Sequence, residues 1–210
     1  MAIHYRTEGI ILQKQDSREA DRIFTVFTKD FGKLQLRAVS VRKITSKLRG
    51  GLGLFYLSAL EFIQGKTQKT LVDALVLNPY IHIRQDLRKL KVVHRISEVF
   101  EGIVKGQERD EKLWRLLQEV FDSLNREECD EDHLRFVGHY FIWNLLSLAG
   151  YKPEVHEIQR RFPERAEMIK LFLEKDIEHA EGKLRSYSRA SWGILRKLAQ
   201  EHLSRVTENC

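Results

Sequence analysis

Leu34-Gln35-Leu36-Arg37-Ala38-Val39 sets Leu34, Leu36 and Ala38 against Gln35, Arg37 and Val39, the period-two pattern of a half-buried β-strand. Working outward, Ile10–Leu12 lies in a predicted strand over about 4–14, and Ile23–Phe27 in a second over 21–29. Phe55–Ile63 predicts a fourth strand and Thr70–Leu77 a fifth. The breaks carry turn chemistry: Gln15-Asp16-Ser17, Lys29-Asp30-Phe31-Gly32, Gly50-Gly51-Leu52-Gly53 and Gly65-Lys66. Five strands in so short a span suit a small barrel, with the five-stranded OB architecture as the leading candidate. A split sandwich or an SH3-like barrel would give much the same pattern. At Asn78-Pro79 the period changes to that of helices. Leu87, Leu90, Val93, Ile96, Phe100 and Ile103 recur every three or four residues, and Leu113 to Leu124 repeats this after Gly106-Gln107-Glu108. A third run, Leu134 to Ala149, stops at Gly150, where a C-terminal glycine is expected. Further helices are predicted over about 164–181 and 189–205. The expected fold class is α+β multidomain: an OB-type barrel over 1–79, then an all-α domain over 80–210.

The 210 residues are 42% hydrophobic and 31% charged, enough apolar material for a core, which excludes a disordered tail. No apolar run reaches the ~18–20 residues a membrane span needs, and the start lacks a secretory layout, so a soluble protein of a reducing compartment is expected. Two cysteines, Cys129 and Cys210, make neither a disulfide framework nor a four-cysteine zinc site. The net charge is +6, and residues 1–79 hold 13 basic against 7 acidic residues, so the whole excess lies there. Between Asp30 and Glu61 there is no acid, while Lys33, Arg37, Arg42, Lys43, Lys47 and Arg49 all occur. Such asymmetry points to a polyanionic partner.

The stretch 33–49 carries the strongest local signal. Its cations would follow a phosphate backbone and release counterions, whereas the plainer reading is a solvated strand edge that resists aggregation. Because acids are absent rather than interspersed, nucleic-acid contact is the preferred reading, and Lys66 and Lys69 join the candidates. Arg37 falls on the face opposite Leu34 and Leu36, and Arg42–Arg49 forms the loop or short helix between the third and fourth strands. Phe24, Phe27, Phe31, Phe55, Tyr56 and Phe62 could stack on bases, but a small barrel needs most of them inside, which leaves Tyr56 as the expected surface aromatic. Cys129, His133 and His139 have a loosely metal-like spacing, but the acidic loop 127–132 beside them is explained by a helix N-terminus. No metal or cofactor is expected. Phosphate-cradling loops, nucleophile elbows and paired zinc histidines are missing, so nothing supports an enzyme.

The residues also carry a family pattern. Tyr5-Arg6-Thr7-Glu8-Gly9-Ile10-Ile11-Leu12, Glu19-Ala20-Asp21-Arg22-Ile23, Phe27-Thr28 with Phe31-Gly32-Lys33-Leu34, and Ser46-Lys47-Leu48-Arg49-Gly50 resemble the bacterial recombination mediator family RecO. Leu71-Val72-Asp73-Ala74, Tyr80 with Arg84-Gln85-Asp86-Leu87, and Leu145-Leu146 with Gly150-Tyr151-Lys152-Pro153-Glu154-Val155 continue it in order. The resemblance implies an OB fold and a helical domain, binding of single- and double-stranded DNA, annealing of complementary strands, and no catalytic residue. It also implies contact with the acidic C-terminal tail of single-stranded DNA-binding protein (SSB), and work with RecR to load RecA on gapped DNA. A bacterial, nucleoid-associated cytoplasmic location follows from the same resemblance. Many members place a four-cysteine zinc module after the Gly-Tyr-x-Pro-Glu stretch, where this chain reads His156-Glu157-Ile158-Gln159-Arg160-Arg161-Phe162-Pro163. No zinc and a shortened or remodelled segment are therefore expected. The net-neutral helical domain is the candidate for protein partners, with Arg160, Arg161 and Arg165 as docking points for an acidic tail. The alternative reading is an OB-fold adaptor for RNA or protein without annealing activity.

Overall fold

The computed structural model describes residues 3–151, 155–174, 176–184 and 189–208, with the side chains of 155–157, 184, 189–191, 202 and 205–208 outside the described set. Five strands close a barrel in the order β1 (His4–Ser17), β2 (Asp21–Thr28), β3 (Gly32–Ala38), β5 (Lys69–Asn78), β4 (Leu57–Gln64). All neighbours are antiparallel except β3 and β5, whose parallel pairing of Leu36 with Lys69 and Arg37 with Thr70 completes the OB topology. β1 serves two partners, pairing through residues 4–10 with β4 and through 9–17 with β2. Its register shifts between Ile11 and Gln13, the local bend that lets one strand turn a barrel corner.

The alternation of 34–38 has its physical reason inside the barrel. Leu34, Leu36 and Ala38 are buried with Ile11, Phe24, Val26, Leu60, Phe62 and Leu71, while Lys33 and Arg37 are half-buried and Gln35 is exposed on the outer face. Phe55, expected inside the fourth strand, precedes it instead. It is buried at φ 67, and its N–H donates to the Ile11 carbonyl at 2.8 Å. The same compact unit includes residues 105–114, far along the chain from the barrel strands. Gly32 sits at φ 62, and a Cβ there would come within 2.2 Å of the Glu108 carbonyl oxygen. Lys69 Nζ donates to Gln107 Oε1 at 2.8 Å, and the Phe27 and Trp114 rings lie 6.3 Å apart.

The helical unit comprises residues 82–104 and 115–210. A short helix, α1 (Ile81–Gln85), precedes α2 (Leu87–Ile103), which is capped by Asp86 accepting the Arg88 N–H at 2.8 Å. α3 (Glu111–Leu124) is followed by α4 (Glu131–Leu148), whose cap Asp130 accepts the His133 N–H at 2.6 Å. α4 is apolar on most of its circumference and lies against α2 and the three later helices α6 (Pro163–Glu174), α7 (Ile177–Leu184) and α8 (Arg189–Glu208). Phe136, Val137, Phe141, Trp143, Leu145 and Leu146 are buried on it, the expected pattern for a helix enclosed by others. The single helix expected over 164–181 is two, because Asp176 caps a new start by accepting the His179 N–H at 3.0 Å. At the position of the family's zinc module stands α5 (Val155–Arg161), with the side chains of His156 and Glu157 and all of Cys210 outside the described residues. No described helix is long and apolar enough to cross a membrane.

Candidate nucleic-acid interface

Between β3 and β4 the chain makes two tight turns and a short 3-10 helix over Lys47–Gly51. Asp21 sets the entry to this loop. Its Oδ2 accepts from Arg37 Nε at 3.0 Å and Nη2 at 2.5 Å, and its Oδ1 accepts the Ser40 N–H at 2.8 Å. Ser40 is thereby held at φ 54, in the left-handed region that ordinary residues avoid. The Ser40 N–H and the Arg37 guanidinium hold the Asp21 carboxyl below the usual carboxylate range. Further along, the Arg42 N–H donates to the Ala20 carbonyl, Lys43 to Ser40 and Ser46 to Lys43, each at 3.1 Å. The Arg42 guanidinium donates to the Glu19 carbonyl at 3.1 Å and lies 3.6 Å from Asp16. This basic loop is therefore tied to the β1–β2 turn by backbone and side chain alike.

The candidate cations divide into two groups. Lys43, Lys47, Arg49 and Lys66 are exposed and make no ion pair among the described residues. Arg37 is held by Asp21, Arg42 by the β1–β2 turn, and Lys69 by Gln107, so these are partly committed to the fold. Lys33 is half-buried on the outer face of β3. The parallel pairing of β3 with β5 brings Lys69, at the end of the Lys66 turn, beside Leu36 and Arg37. Tyr56 is half-buried rather than free at the surface: its ring packs on the barrel core and covers Gly53, where a Cβ would meet it at 2.5 Å.

In the helical unit, Arg160 and Arg161 are exposed at the end of α5, while Arg165 lies over the Phe162 ring at 5.7 Å. A cleft of about 510 Å³ lies elsewhere, between α2, α4 and α8. Arg88, Lys91 and Arg95 of α2, Arg135 of α4 and Arg196 of α8 surround it, with Glu131 at one side. Val92, Ile96, Leu134, Ile142 and Ala199 provide apolar lining. His139 also lines it, its Nδ1 buried without a hydrogen-bond partner among the described residues; burial, reinforced by Arg95 and Arg196, brings its pKa down to about 4. The sequence reading missed this site, although Arg88, Lys91 and Arg95 fall at helical spacing on one face.

The cysteine–histidine trio considered for metal is not gathered. His133 Nδ1 bonds Glu181 Oε1 at 2.8 Å, and the buried Cys129 thiol faces backbone carbonyls, with burial raising its pKa. Among the described residues no group of three or more His, Cys, Asp or Glu side chains is placed to hold a metal ion.

A closed OB barrel with an acid-free basic loop, continued in the chain by an all-helical unit, defines a two-unit OB-fold protein. Residues 1–80 match the family model described as recombination protein O N terminal, and residues 84–206 the one described as recombination protein O C terminal. The chain belongs to the RecO family. It is 33% identical over 153 residues to a protein named DNA repair protein RecO from Dehalococcoides mccartyi, covering 73% of this chain and 59% of that one. The so-named protein of Moorella thermoacetica is 32% identical over 151 residues, covering 72% and 55%, and that of Gloeothece citriformis 27% over 157, covering 75% and 55%. The chain thus spans less than two thirds of the length of these relatives.

Proposed function

We propose that this chain is a DNA repair and recombination mediator that binds single- and double-stranded DNA and anneals complementary strands. The observation that carries this reading is the pinned, acid-free loop that presents Lys43, Lys47 and Arg49 unpaired on an OB barrel. Phosphate neutralisation by such cations is sequence-independent and leaves base edges available for pairing, which is what annealing needs. The activity is one of binding and presentation, without a catalytic residue, and its setting is the bacterial cytoplasm at the nucleoid. With RecR, the protein would help load RecA on gaps coated by SSB.

The acidic C-terminal tail of SSB fits the α2–α4–α8 cleft better than it fits Arg160, Arg161 and Arg165. Arg88 is held by Asp86 and Glu131 and Arg135 by Asp132, but Lys91, Arg95 and Arg196 make no ion pair among the described residues, and beside an apolar lining they suit a segment that is both acidic and hydrophobic. Arg165 is already engaged with Phe162.

Titrating labelled single-stranded DNA at several salt concentrations tests the main reading. The logarithm of affinity is expected to fall linearly with the logarithm of salt, with a slope of about −0.7 for each phosphate neutralised. Weak binding indifferent to ionic strength would favour the adaptor reading, in which the barrel takes RNA or a protein and has no annealing activity.

A further inference from the structure

We propose that Ile44 is a nucleobase-contacting residue, inserting its side chain against an unstacked base while the cations around it hold the phosphates. This rests on the DNA-binding reading above and adds the part of the ligand that charge cannot recognise. Single exposed isoleucines are ordinary on protein surfaces. Three observations set this one apart.

The first is its exposure. Ile44 is 89% exposed, the highest value among the large hydrophobic side chains described as exposed. The second is its placement: Arg42 and Lys43 precede it and Lys47 and Arg49 follow, in a stretch with no acid between Asp30 and Glu61. The loop that carries it is fixed by the Ser40, Arg42, Lys43 and Ser46 N–H bonds, so the side chain is displayed by a set backbone. A residue presented in this way loses little freedom on binding.

The third is that the barrel's aromatics are already used. Phe24, Phe27, Phe55 and Phe62 are buried, and Tyr5, Phe31 and Tyr56 pack against the core. Tyr5 and Phe31 lie on Phe62 with ring centroids 5.4 and 5.5 Å away. Stacking platforms of the usual aromatic kind are therefore absent from the basic loop. Phosphates offer an isoleucine nothing, and the apolar surface of a nucleic acid is its base faces. Aliphatic wedges between base steps are a known way of reaching them.

The test uses single-stranded DNA carrying 2-aminopurine, which brightens when unstacked, with the full chain, Ile44→Ser and Ile44→Leu. Thermal unfolding of each variant checks that the fold is kept, as expected for so exposed a position. Wild type should brighten the probe. Ile44→Ser should lose the brightening and bind about tenfold more weakly, as expected for one large apolar side chain that stays in water, with an unchanged salt slope. Ile44→Leu, which keeps an aliphatic side chain of the same size, should restore both. If Ile44→Ser binds and brightens as wild type does, the proposal is overturned while the salt-dependent DNA-binding reading stands. Loss of binding to a protein partner, with DNA behaviour intact, would overturn it in favour of a protein contact. Failure of the wild type itself to bind DNA in a salt-dependent way would overturn both.

Discussion

Asp21 grips Arg37 through Nε and Nη2 with one carboxylate oxygen and the Ser40 N–H with the other, so one acid sets both a strand cation and the geometry of the loop that follows. An acid in a surface meant for DNA would ordinarily weaken binding by repulsion. Here its role is to order the cations, which leads to a counterintuitive expectation. Asp21→Ala removes a negative charge yet should weaken single-stranded DNA binding, because Ser40 no longer has a partner fixing its left-handed backbone. It should also lower the Tm. Tighter binding by the variant would show that Asp21 only neutralises Arg37.

The two groups of cations should respond differently to removal. Replacing Lys43, Lys47 and Arg49 with Ala should reduce the salt slope by about 2, roughly 0.7 for each phosphate contact on a single strand, and leave the Tm unchanged. Annealing should be abolished. Arg37→Ala, by contrast, should lower the Tm as well, because it leaves the buried Asp21 carboxylate with one hydrogen-bonding neighbour fewer. Thermal melts beside salt titrations of the same variants separate the two effects.

These contrasts show what the sequence makes legible. The alternation at 34–38 and the change of period at Asn78-Pro79 are local patterns, and local patterns survive in a one-dimensional reading. Lys43, Lys47 and Arg49 are legible for the same reason, as neighbours in a stretch without acids. The Asp21–Arg37 pair spans sixteen residues and follows no period. The cleft cations are spread from Arg88 to Arg196 and cancel against acids in any segment average, so net neutrality hid a strongly basic face. Tyr56 misled because a half-buried tyrosine and an exposed one look alike until Gly53 is seen beneath the ring.

The cap of α2 gives a prediction about pH. Asp86 accepts the Arg88 N–H at 2.8 Å and Arg88 Nη2 at 2.7 Å. The guanidinium bond above all, with the backbone bond, outweighs partial desolvation and brings its pKa from an ordinary 3.8 down to about 2. A depressed carboxylate stabilises the fold above its unfolded value and loses that contribution as pH falls through the folded one. Asp86→Asn keeps a good cap and removes only the charge. The Tm gap between wild type and Asp86→Asn should therefore be constant from pH 7 to 5 and close between about 4 and 2. A gap that persists undiminished at pH 2 would show that something other than the carboxylate charge separates Asp86 from Asn.

For the helical unit, a labelled peptide ending in acidic and apolar residues should bind the wild type, and Arg95→Ala or Arg196→Ala should each weaken it roughly tenfold, the scale of one charge-assisted hydrogen bond. Arg160→Ala and Arg161→Ala should change little. The reverse ranking would move the docking site to the end of α5.

The last prediction concerns the segment that returns to the barrel. Gly32 lies at φ 62 as the first residue of β3, and the Glu108 carbonyl occupies the space where a side chain would stand. Gly32→Ala therefore combines left-handed strain of about 1–3 kcal/mol with a backbone collision. The β2–β3 turn is held by the Thr28 hydroxyl, which donates to the Gly32 carbonyl at 2.8 Å, so the turn cannot shift without breaking a buried bond. The segment over 105–114 is the part that gives way. Amide exchange there should accelerate in Gly32→Ala, while the paired amides of β1 and β4 keep their protection. The Lys69–Gln107 bond would open with it, releasing Lys69 from its present partner. A mild gain in DNA affinity beside a lower Tm would show that Gln107 restrains Lys69. Uniform acceleration across the barrel would show instead that Gly32 supports the sheet as a whole.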